Sequence, residues 1–144
     1  MLLTKIVSSL IILTSFSFAN AQTPAPASKN LAGFIDPVSG EGKNAFIIGW
    51  ACVIGKETPA QIEIYLGGPE GKGTKASGKF FTSIASGAPI NTACKTSVSS
   101  KHRFKIPVSE VTKSKTRQTI FAYVVSGTEK FLLGGSGTVK TPCE

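Results

Sequence analysis

Two cysteines in strand-like surroundings constrain this chain more than any other feature. Cys52 ends the run Gly49-Trp50-Ala51-Cys52 and Cys94 follows Ala93, and both stand behind an N-terminal segment with the pattern of an export signal. Lys5 supplies the positive charge, residues 6–18 are mostly apolar, and Ala19-Asn20-Ala21 is a small-x-small cleavage site. Residues 1–21 therefore read as a signal peptide, too short for a comfortable membrane span, and the mature chain is expected to begin at Gln22. A periplasmic or secreted location follows, and with it an oxidising environment in which cysteines pair. Three cysteines allow three pairings. Cys52–Cys94 is favoured because both lie in or beside strand-like segments, whereas Cys143 follows Pro142 in the tail. Cys143 is then a free thiol or the link of a disulfide-bonded dimer; Cys94–Cys143 is the rival pairing.

Residues 22–30, rich in Pro and Ala, read as a flexible tether, and one folded domain is expected over 31–144. Hydrophobicity in that domain repeats with a period of two. Residues 31–35 make a short strand. In 45–53, Phe46, Ile48, Trp50 and Cys52 share one face, which the reading turns inward, and Ile47, Ala51 and Val53 share the other. In 61–66, Ile62, Ile64 and Leu66 alternate with Gln61, Glu63 and Tyr65; in 102–108, His102, Phe104 and Ile106 alternate with Arg103 and Lys105. Strands are also expected at 79–85, 118–125, 130–133 and 138–140, with a hairpin turn at Ser126-Gly127. Residues 86–100 read as turns, and only 109–114 as a helical turn. Seven or eight short strands punctuated by Gly and Pro predict an all-β antiparallel sandwich of immunoglobulin-like architecture, with a small β-barrel as the alternative.

Acid–base chemistry has little to work with. His102 and Asp36 are the only residues of their kinds, and no Gly-x-Ser-x-Gly elbow is present. The cysteines and single histidine lack zinc-ligand spacing, so no metal or cofactor is expected. The run Gly67-Gly68-Pro69-Glu70-Gly71-Lys72-Gly73-Thr74 departs from a phosphate loop, since Gly73 separates Lys72 from Thr74. Trp50, His102 and Phe104 are expected to be structural. No catalytic residue is expected.

The formal charge of +8 favours anionic partners. Arg103 and Lys105 should point outward from one strand, and Lys113, Lys115 and Arg117 should form a second outward row. With the outward Tyr65, these make the candidate binding surface. Export and the lack of a recognised motif disfavour nucleic acid.

The ordered series Gly33-Phe34-Ile35-Asp36, Gly49-Trp50-Ala51-Cys52, Ile64-Tyr65-Leu66-Gly67-Gly68, Ala93-Cys94 and His102-Arg103-Phe104 resembles a β-sandwich module of secreted bacterial proteins. That module is often appended to carbohydrate-active or cell-surface enzymes. The resemblance implies a sandwich, a Cys52–Cys94 bridge, and structural roles for Trp50 and His102. Cys143 departs from its pattern. The functional expectation is a non-catalytic exported binding protein for an anionic envelope glycan or another exported protein. The alternative is a periplasmic inhibitor or immunity protein that blocks a toxin or an exported enzyme.

Overall fold

The computed structural model describes residues 28–143; the expected signal peptide and most of the expected tether lie outside them. Two antiparallel sheets pack face to face, and no closed barrel forms. One sheet has the order β1 (Leu31–Ile35), β2 (Phe46–Val53), β6 (Arg103–Pro107). The other centres on β3 (Gln61–Leu66), which pairs with β7 (Ile120–Ser126) on one side. On its other side β3 pairs with β5 (Phe80–Phe81) and β4 (Thr74–Lys75); β8 (Glu129–Leu132) forms a hairpin with β7. The expected strand over 79–85 is only two residues long, because the chain then crosses to the other sheet, where Ile84 bridges Arg103. The expected strand over 138–140 is reduced to a single bridge, Thr119 to Lys140.

The period-two pattern produces the core. Ile62, Ile64 and Leu66 meet Ile120, Ala122 and Val124 from β7, facing Leu31, Ile35, Ile47, Ala51, Phe104 and Ile106 from the opposite sheet. Burial of such side chains contributes about 1.5–3 kcal/mol each. Two glycines make room for close neighbours on the adjacent strands of their own sheet. A Cβ on Gly49 would lie 2.3 Å from the Phe34 carbonyl oxygen and 2.6 Å from Phe104 Cζ; one on Gly33 would lie 2.5 Å from the Trp50 carbonyl oxygen.

This core corrects the expected facing of β2. Ile47, Gly49 and Ala51 are the inward residues, while Phe46, Ile48 and Trp50 lie on the outer face and are only half-buried. Both faces of β2 are apolar, so alternation alone does not choose between them. The choice is set by pairing, which places the two small residues Gly49 and Ala51 against the neighbouring layer.

A second departure is α1 (Ala88–Cys94), where turns are expected. Pro89 in the first turn fits helix entry, and Lys95 ends the helix in the left-handed conformation at φ 54°. The disulfide joins Cys94 of this helix to Cys52 of β2. It sits outside the inter-sheet core, in a separate small cluster with Ile90, Ala32 and Trp50. A one-turn helix, α2 (Val108–Val111), follows β6.

Candidate functional site

The outer face of the three-stranded sheet carries a row of four side chains. Phe34 on β1 pairs with Trp50 on β2, Trp50 pairs with Arg103 on β6, and Arg103 is bridged by Ile84. Directly paired residues present their side chains on the same side, so the row runs about 14 Å across the strands. Phe34 and Ile84 are 43% and 41% exposed, high values for large apolar residues. The adjacent row pairs Ile48 with Lys105, whose ammonium lies 4.2 Å from the centre of the Phe46 ring. Neither Arg103 nor Lys105 has a carboxylate partner among the described residues, whose ion pairs involve only Lys75 and Lys130. Exposed aromatic and aliphatic surface is thus interleaved with two cations free to pair with a ligand.

α1 borders this face. Its disulfide fixes it over Cys52, and Ile90 packs beside Trp50. A buried polar set holds the adjoining chain: the single Ser86 hydroxyl proton is shared between the Asn91 side-chain oxygen at 2.5 Å and the Ser100 carbonyl at 2.8 Å. Trp50 is therefore half structural and half available, whereas its expected place was wholly inside.

His102 and Phe104 lie inward, Phe104 within the core. His102 is fully buried, with Nε2 2.9 Å from the Thr96 hydroxyl and Nδ1 without a protein partner. Burial lowers its pKa, and the Glu57 carboxylate opposes the shift. Asp36 is not brought to it. The Asp36 N–H bonds to Ile48, whereas the His102 carbonyl bonds to Ala51. Two strand spacings and three residues along β2 put their backbones about 14 Å apart. Among the described residues no group of three His, Cys, Asp or Glu is placed to hold a metal ion.

The expected second basic row does not continue the first. Lys113, Lys115 and Arg117 are exposed in the connection from α2 to β7, and the Lys113 ammonium donates to the Ser109 carbonyl at 2.6 Å. Arg117 lines a cleft of about 450 Å³ at one end of the sandwich, with Val38 and Lys140 on its walls. A neighbouring cleft shares Arg117 and reaches Lys43 and Cys143. Cys143 is an exposed free thiol.

Tyr65 lies on the expected outer face of β3 but is only 6% exposed. Its ring meets Tyr123 edge-on at 5.5 Å, and its hydroxyl donates to Glu70 at 2.9 Å. Glu63 receives Lys75 at 2.6 Å and Lys130 at 2.8 Å, and Lys130 also pairs with Glu70. Burial raises the Glu63 carboxyl pKa, but the two ammonium groups outweigh it and hold the pKa below the usual value. Burial and the Glu70 and Glu63 carboxylates hold the Tyr65 phenol above its usual value. This network satisfies its own charges and covers Tyr65.

Phe34 and Ile84 are not among the residues that the sequence singles out as a binding surface. The alternation Leu31, Gly33, Ile35 already turns Phe34 outward, but its pairing with Trp50 depends on a register that the sequence does not display. Comparison with known proteins finds no matching family model, curated protein or solved structure. Among the described residues no helix is long and apolar enough to cross a membrane.

Proposed function

We propose that this protein is an exported, non-catalytic binding protein that recognises an acidic glycan of the cell envelope through the outer face of β1, β2 and β6. One observation carries the reading: the unpaired cations Arg103 and Lys105 share rows with Phe34, Trp50 and Ile48. A sugar ring lays its C–H face on an aromatic or aliphatic surface, while its carboxylate takes a forked, charge-assisted bond from a guanidinium. The intramolecular disulfide is compatible with the oxidising compartment in which such a polymer is found. Whether that compartment is the periplasm or the exterior is not needed for the chemistry.

The test is retention of the mature protein on immobilised acidic and neutral envelope polysaccharides. Retention on the acidic polymer, weakened by salt and abolished by Arg103→Glu with Lys105→Glu, is expected. Equal retention of this double variant defeats the reading. Exposed Phe34 and Ile84 on the same face also suit the apolar centre of a protein interface, which favours an inhibitor as the second reading. Recovery of one stoichiometric exported protein, with no polysaccharide binding, would select that reading.

A further inference from the structure

The acidic-glycan reading treats the sheet face as the whole site, yet the chain continues from that face into a second cationic feature. Ser39, in the connection from β1 to β2, bridges Phe46 with its N–H 3.0 Å from the Phe46 carbonyl oxygen. Phe46 is also the ring beneath the Lys105 ammonium, and lies about 13 Å along β2 from Trp50. The residues flanking Ser39, Val38 and Gly40, form a wall of the Arg117 cleft. Alternation about that bridge leaves Ser39 on the side of Phe46 and turns Val38 and Gly40 the other way, so the cleft lies around the β1–β2 connection from the sheet face.

The cleft has the charge to extend the site. Arg117 and Lys140 line its first lobe, and Arg117 and Lys43 line the second, where Glu41 is the one carboxylate among the described residues. Arg117 has no ion pair among the described residues. The first lobe is a solvent-open cleft of about 450 Å³, room for a small polar group such as one sugar unit. Nothing in the apolar core requires an arginine there.

We propose that the Arg117 cleft is a second subsite for the same ligand, so that the preferred ligand is an acidic polysaccharide chain long enough to occupy the cleft and the sheet face together. This rests on the acidic-glycan reading. A short acidic oligosaccharide fills the face alone. A longer chain adds the cleft as an intramolecular second contact, whose effective concentration is high because only the β1–β2 connection lies between the two places.

The experiment titrates the mature protein with the trimer of galacturonic acid and with long-chain polygalacturonate, before and after Arg117→Glu. The exposure of Arg117 makes that variant foldable, and its melting temperature checks this. Expected are a gain of at least about ten-fold from trimer to polymer and loss of that gain in the variant, with trimer affinity changed less than about two-fold. A gain that survives Arg117→Glu comes from the number of registers on a polymer and overturns the second subsite. Equal affinity for trimer and polymer overturns it as well, while leaving the sheet-face reading intact. Failure of both to bind, with Arg103→Glu also without effect on any acidic glycan, refutes the reading on which the second subsite rests.

Discussion

Removing the disulfide tests how this fold divides its stability. Cys52 and Cys94 are 42 residues apart in sequence, so closing that loop restricts the unfolded chain by about 4 kcal/mol on the chain-entropy estimate. For a domain of this size each kcal/mol moves the melting temperature by about 4 °C, so Cys52→Ala with Cys94→Ala should lower it by about 15 °C. The structural consequence is local. The bond lies outside the inter-sheet core, and α1 is otherwise held by Ile90 and the Ser86–Asn91–Ser100 bonds. The variant should keep its sheets while α1 loosens, and the only tryptophan, Trp50, packed beside the bond, should report this by red-shifted fluorescence. Thermal denaturation followed by far-ultraviolet dichroism, with tryptophan emission in parallel, makes the measurement. A melting temperature within about 3 °C of the parent would refute the loop-closure argument. Loss of sheet signal at room temperature would refute the claim that the core stands apart from the bond.

Four further outcomes follow from the geometry. Because burial lowers the His102 pKa below its ordinary 6.5, the folded state favours the neutral ring. Its contribution is complete above pH 6.5 and is lost as pH falls from there through the folded value, so His102→Gln should flatten stability against pH in that window. Glu63 is also held below its ordinary 4.5, so its contribution persists above that value and disappears at lower pH as the carboxyl protonates, a separate step when urea unfolding is measured across pH. Gly49→Ala should cost about 1–3 kcal/mol in denaturant unfolding, since its Cβ meets the Phe34 carbonyl and the Phe104 ring; a neutral result contradicts the close approach. Lys130→Met should cost about 1 kcal/mol or less and leave glycan retention unchanged, because its network lies on the opposite sheet.

Most of the sandwich is legible in the sequence because β3, β6 and β7 each place a row of apolar residues on one side. β2 is not, and its ambiguity hides the site. Phe46, Ile48 and Trp50 look like core residues, since an apolar outer face is what a binding surface and a buried surface have in common. Cys52 falls on the same face, and α1 buries its sulfur from outside the sheet. α1 itself, Ala88–Cys94, is too short to display a helical period, and its entry residue Pro89 reads equally as a turn. The fate of Tyr65 shows the converse. Alternation turns it outward correctly, but the loop carrying Glu70 and the side chain of Lys130 cover it through contacts 5 and 65 positions away in sequence. Arg103 and Lys105 are placed correctly by alternation, and the partners that give them meaning, Phe34 and Ile84, come from strand register.

The most direct test of the account is amide and indole chemical-shift mapping of residues 22–144 titrated with an acidic oligosaccharide. The account predicts saturable shifts at Phe34, the Trp50 indole, Arg103 and Lys105, with Glu63, Tyr65 and Lys130 unmoved. Shifts centred on Tyr65 and Lys130, or none with any acidic oligosaccharide, would contradict it.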